Sequence, residues 1–312
     1  MQSPITSFNT RGAYVMKLPL FLLALTASLA ATAGPVVHTA GEAAQGANAT
    51  LDAMRQHFQK TMPEVKGDAF VDGALNFNRG AREYNQSWEA RFKDDFDQPD
   101  EYRDAFAQGK ALWEKPFADG KRFADCFPDG GKGATATYPR VGADGAVVTF
   151  EKALNQCLEN HHEKPLAYGD MKHMGALSLY ARKLSDGSRI DIVVNSGAEK
   201  AAFERGKVLY YTRNGQLGMA CASCHTQQAG KTLRSEELSP VIGQVSHFPV
   251  FRPNKESAHL DVVSLQKRYE GCQKNVKVEK PYLAGSPELN DLEYFHTFMS
   301  NGLPLRSGAF RK

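Results

Sequence analysis

The sequence predicts a mainly α-helical protein of two related helical units with an N-terminal helical extension. Three observations predict it. Apolar residues recur at spacings of three and four over long stretches, strand patterns are few and short, and one helix pattern occurs twice. The repeated pattern is Phe106-x-x-Gly109-Lys110-x-Leu112-Trp113, echoed 97 residues on by Phe203-x-x-Gly206-Lys207-x-Leu209-Tyr210. In each copy the Phe, the Leu and the final aromatic fall on one helical face. Each copy is followed by cysteine: Cys126 in the first unit, Cys221 and Cys224 in the second. Each unit closes on an apolar-periodic helix, from about Met171 to Lys183 and from about Leu289 to Met299, where Gly302 is a stop signal. This plan points to a duplicated helical domain. The alternative is a chance likeness between amphipathic helices.

Taken in order, residues 1–33 read as an export signal. Arg11 and Lys17 precede a Leu- and Ala-rich run from Leu18 that ends in Ala31-Thr32-Ala33. The run is short for a membrane span, although an uncleaved anchor is the competing reading. Residues 34–97 form the extension. Leu51, Met54, Phe58 and Met62 predict one helix face, Asp68 to Ala81 a loop, and Trp88, Phe92 and Phe96 a further helix ending near Pro99. The first unit spans 98–195, with short strands expected at Ala146–Phe150, after the turn Ala143-Asp144-Gly145, and at Arg189–Val194. The second unit spans 196–312. The chain is 42% hydrophobic and 23% charged with a formal charge of +3, part of which leaves with the signal, so charge gives no argument for nucleic-acid binding.

The five cysteines carry the chemistry. Cys221-Ala222-Ser223-Cys224-His225 has the spacing at which two thiols add to the vinyl groups of one haem and the histidine stands beneath the iron. A zinc knuckle would need two more ligands nearby, and a thioredoxin-like pair would not need the histidine. The first unit has Cys126-Phe127-Pro128-Asp129 instead and cannot attach haem in this way. Cys126 and Cys157 are read as a disulfide, worth roughly 3–4 kcal/mol by loop-closure reasoning.

That leaves Cys272 unpaired. An extra cysteine in an exported chain is an intermolecular bridge, a buried inert thiol, or a reactive or iron-ligating thiolate. It lies between the haem motif and the last helix, where small c-type cytochromes supply their distal ligand, and no Met lies in that interval. His247 and the lysines from Lys274 compete for the role. A thiolate ligand would lower the haem potential relative to a methionine. Arg268, one turn before Cys272 if the segment is helical, would lower the thiol pKa and attract an anion.

The export signal, the haemless first unit with two cysteines, Cys-Ala-Ser-Cys-His at 221–225 and Arg268-x-x-x-Cys272 together resemble the SoxA family. These are the catalytic cytochrome subunits of the L-cysteine S-thiosulfotransferase of the bacterial sulfur-oxidising Sox system. Val241-Ile242-Gly243, the run Phe248 to Pro253 and Asn301-Gly302-Leu303-Pro304 extend the resemblance over most of 100–312. It implies two cytochrome-c-like helical domains, the first lacking haem, and one covalently bound haem c. Cys221 and Cys224 would attach the haem, with His225 and Cys272 as its axial ligands. Cys272 would also be catalytic, as a persulfide, and Arg268 would bind thiosulfate. The implied partners are the smaller cytochrome SoxX, as a heterodimer, and the sulfur carrier SoxY (with SoxZ), in the periplasm. Some members carry a second haem in the first domain. The departure at Cys126–Asp129 implies the single-haem type.

Overall fold

Two crossed helix pairs carry the sequence echo in the computed structural model, which describes residues 40–71, 100–233, 236–253 and 260–311. The expected export signal and the helix through Trp88, Phe92 and Phe96 lie outside the described residues. Helix α1 (Ala47–Thr61) buries Leu51, Met54 and Phe58 as the periodicity predicts. Those side chains belong to the same apolar cluster as Phe203, Tyr210 and Phe295, so the described part of the extension completes the core of the second repeat.

The first pair is α2 (Asp100–Glu114) against a helix that begins as a π turn at Met171–Gly175 and continues as α5 (Ala176–Lys183). Between them come the one-turn α3 (Phe123–Cys126) and α4 (Phe150–Asn160). The second pair is α6 (Gly197–Tyr211) against α8 (Pro287–Phe298), with α7 (Leu265–Asn275) between them in sequence. The echoed glycines are the crossing points. A Cβ on Gly109 would stand 2.2 Å from the Ala176 carbonyl oxygen and 2.8 Å from the Tyr180 Cβ. On Gly206 it would stand 2.0 Å from the Asp291 carbonyl oxygen and 2.8 Å from the Phe295 Cβ. Only a residue without a side chain lets the backbones approach this closely.

The echo extends beyond these helices. Gly133, in the left-handed region, leads into a 3₁₀ turn (Ala134–Thr137), the cis peptide Tyr138–Pro139, the hairpin β1 (Arg140–Val141) and β2 (Val147–Val148), and then α4. Gly243 leads in the same way into Gln244–His247, cis Phe248–Pro249, β5 (Val250–Pro253), β6 (Leu260–Val263) and α7. A further antiparallel pair, β3 (Thr232–Leu233) and β4 (Glu236–Glu237), belongs to the second repeat. Both α4 and α7 have 11 residues, and each starts on a hydroxyl cap, with Thr149 accepting from the Lys152 amide and Ser264 from that of Lys267. Cys157 and Cys272 occupy the same position along these two helices.

The two strand expectations resolve differently. The first strand is confined to Val147–Val148, because the Thr149 cap starts the helix at Phe150. The second is not a strand. Residues 188–192 run extended beside the C-terminal tail, with the Ile190 amide donating to Leu303 and the Gly302 amide donating to Ile190. Its single bridge pairs Arg189 with Pro304, which has no N–H to extend a ladder.

A polar seam lies where the repeats meet. Glu151, Ser178 and Arg182 face Glu293 and Thr297 around a cavity of about 30 Å³, enough for one water molecule. Ser178 donates to Glu151 (2.9 Å), and Gln266 donates to Glu293 (2.8 Å). Burial, reinforced by Glu151, pushes the Glu293 carboxyl well above the usual range.

Candidate functional site

Helix α7 is held by directional bonds on one face. The Gln266 amide nitrogen donates to Asn290 (2.9 Å) and Glu293, while its oxygen accepts from the Gly285 amide (2.6 Å). Tyr269 meets His296 Nδ1 at 2.7 Å, Glu270 accepts from the Ala284 amide (2.7 Å), and Gln273 bonds both backbone groups of Tyr282. Positions 266, 269, 270 and 273 follow helical spacing, so hydrogen bonds set the rotation of α7 about its axis. That rotation decides where Arg268 and Cys272, one turn apart, are presented.

They are presented to the haem motif. Cys272 lies within electrostatic range of both Cys221 and Cys224, and Arg268 within that of His225. All three of these cysteines are free and partly buried. Burial pushes the Cys221 thiol up to about 12 and raises that of Cys224 as well. The sequence-predicted set Cys221, Cys224, His225, Arg268 and Cys272 is therefore gathered in one place.

The surroundings fit a haem. His225 Nδ1 lies 2.8 Å from the Ser239 carbonyl oxygen, to which it can only donate, and this leaves Nε2 with the lone pair an iron ligand needs. Burial lowers its pKa to about 4, so the ring stays neutral. Tyr210, Tyr269 and His296 wall the site with buried aromatic surface. Tyr210 is anchored through its hydroxyl to Thr226 (2.8 Å), and His57 of α1 meets the Thr226 carbonyl oxygen (3.1 Å), so the extension braces the attachment turn.

The competing ligand His247 is fully buried. Both its ring nitrogens lack hydrogen-bond partners, and the charges of Arg311, Arg306 and Arg182 reinforce the effect of burial in keeping the ring neutral. In the first repeat Cys126 and Cys157 are joined as a disulfide. His161 lies close to both sulfurs but is bonded through Nδ1 to Asp119 (2.7 Å). Trp113 stacks between Phe123 and Phe127 there, at 5.7 and 5.6 Å, at the place in the echo that Tyr210 holds in the second repeat.

Comparison with known proteins agrees with this geometry. The family described as SoxA/TsdA, cytochrome c domain matches residues 108–190, which lie in the repeat without the haem motif. The L-cysteine S-thiosulfotransferase subunit SoxA of Chlorobaculum tepidum is 38% identical, over 85% of this chain and 88% of its own. The chain belongs to the SoxA family. The SoxA of Allochromatium vinosum is 37% identical over 94% of this chain and 98% of its own. The crystal structure of SoxXA from P. pantotrophus superposes with a TM-score of 0.63 at 28% identity, covering 73% of this chain and 84% of that one. Membership makes the fold two cytochrome-c-like helical domains, the first without a haem motif, and gives the protein a c-type haem. Among the described residues no helix is long and apolar enough to cross a membrane.

Sequence reasoning missed the bonds that orient α7. Gln266, Tyr269 and Glu270 read as ordinary polar residues, and their partners at 284–296 are joined to them only by folding. The one available signal was their spacing of three and four on a helix otherwise poor in apolar residues.

Proposed function

We propose that this chain is the haem-bearing catalytic subunit of an L-cysteine S-thiosulfotransferase. It works in the periplasm as a heterodimer with the smaller cytochrome SoxX, and it carries a single haem c. The observation that supports this reading is the placement of Arg268 and Cys272 one turn apart on one helix, both within electrostatic reach of the Cys221–His225 turn. A plain electron carrier needs a ligand across the iron, but not a guanidinium one turn from it.

Cys221 and Cys224 would hold the haem covalently, and His225 and Cys272 would ligate its iron. Haem, when bound, supplies an electron acceptor. Arg268 offers thiosulfate a fixed charge and a planar set of donors. It thereby orients the outer sulfur toward the sulfur on Cys272, where a sulfur–sulfur bond would form as two electrons leave for two c-type haem equivalents. The conjugate then passes from Cys272 to a cysteine of SoxY (with SoxZ), leaving a protein–cysteine S-thiosulfonate. The bonded face of α7 keeps both side chains in register without a further conformational step.

The test is thiosulfate-dependent modification of SoxY by the reconstituted heterodimer, followed by mass. Cys272→Ala abolishes conjugation while the haem stays attached. Arg268→Met lowers kcat/KM for thiosulfate about a hundredfold. Full activity in Cys272→Ala would return the protein to the class of electron carriers.

A further inference from the structure

The disulfide of the haemless repeat has the surroundings of a reactive one. Cys157 is nearly fully buried near the end of α4, and Cys126 is partly exposed. One turn beyond Cys157, His161 caps the helix, and a ring nitrogen lies within 4.8 Å of both sulfurs. The ring is held from two sides. Asp119 bonds Nδ1, and Phe117 stacks on its face at 5.1 Å. Asp119 is itself oriented by the Lys121 amide (3.0 Å), and the bond to His161 holds its carboxyl below the usual range.

We propose that Cys126, Cys157, His161 and Asp119 form a thiol–disulfide exchange site whose substrate is an external thiolate. Access selects Cys126 as the sulfur attacked. A bond forms between the incoming sulfur and Cys126 Sγ, the Cys126–Cys157 bond breaks, and its electron pair leaves on Cys157 Sγ. A buried thiolate near a helix C-terminus is disfavoured both by desolvation and by the negative end of the helix dipole. The leaving sulfur therefore needs a proton, and the His161 imidazolium, oriented by Asp119, delivers it. A second thiolate then resolves the mixed disulfide, so the protein gains two electrons and the attacking thiols become a disulfide. Leaving-group protonation is what this site adds to the general exchange reaction. The internal comparison agrees with the assignment: Cys157 stands at the position along α4 that Cys272 holds along α7, so both repeats place a sulfur there.

The experiment uses the haem-loaded full chain in its oxidised form. Dithiothreitol is the probe, and the rate of thiol release at Cys126 and Cys157 is followed by alkylation and peptide mass. Rates are normalised to the dithiothreitol thiolate between about pH 6 and 8. The native protein reacts without denaturant, and His161→Gln slows it about a hundredfold at the acid end, the low end for a positioned acid. Asp119→Asn slows it less and serves where the first variant fails to fold. With a monothiol, the trapped mixed disulfide sits on Cys126. Equal rates in the native protein and both variants, a trapped adduct on Cys157, or release only after unfolding would each overturn the proposal.

Discussion

The two repeats share a frame and differ in what fills it. Each crosses its first and last helices at a glycine, and each runs through a left-handed glycine, a cis-proline and a hairpin into an 11-residue helix with a cysteine at the same position. In the first repeat that cysteine is tied to Cys126, and aromatic rings around Trp113 fill the interior. In the second it is free and faces the haem motif. The difference teaches that the frame does not depend on the haem. A disulfide and a stack of rings hold the helices of the first copy, while the second copy leaves the equivalent cysteine unpaired.

Removing the two sulfurs in turn separates these roles most sharply. The paired replacement Cys126→Ser/Cys157→Ser lowers stability by roughly 3–4 kcal/mol in denaturant unfolding. Cys272→Ser, at the equivalent position, changes it by about 1 kcal/mol or less. Equal losses would mean that Cys272 is structural. The crossing glycines come next. Gly109→Ala and Gly206→Ala each place a Cβ against a backbone carbonyl, and each costs about 1–3 kcal/mol in thermal unfolding. A large effect in one repeat and none in the other would undo the equivalence of the two crossings.

The seam gives an effect that depends on pH. The folded pKa of Glu293 is raised above its ordinary value of 4.5, so between the two values the folded state holds a proton that the unfolded state has lost. Its contribution is thus fully favourable below about 4.5 and declines as pH rises toward the folded value, by at most about 1.4 kcal/mol per pH unit. Glu293→Gln keeps the hydrogen bond to Gln266 and flattens that decline in a series of melts against pH. An unchanged slope would show that Glu293 ionises in the folded protein as freely as in water.

Local signals carried much of this architecture into the sequence. The periodic faces of α1, α2, α5, α6 and α8, the Cys221–His225 spacing and the one-turn offset of Arg268 and Cys272 are all readable within a few residues. The disulfide was readable because five cysteines, less two for haem, leave few pairings. The extended run beside Pro304 was misread as a strand because its partner is a tail that closes on it only in three dimensions. The seam of Glu151, Arg182 and Glu293 escaped for the same reason. Charged residues spread along the chain read as surface until folding buries them together. The glycines of the echo were visible, but their use as contact points required the partner helices to be in place.

Intact mass and peptide mapping of the mature protein test the central comparison most directly. One haem on the peptide containing Cys221 and Cys224, Cys126 linked to Cys157, and Cys272 outside any protein disulfide is the expected result. A second haem, attachment at Cys126, or Cys272 bridged to another cysteine would contradict it.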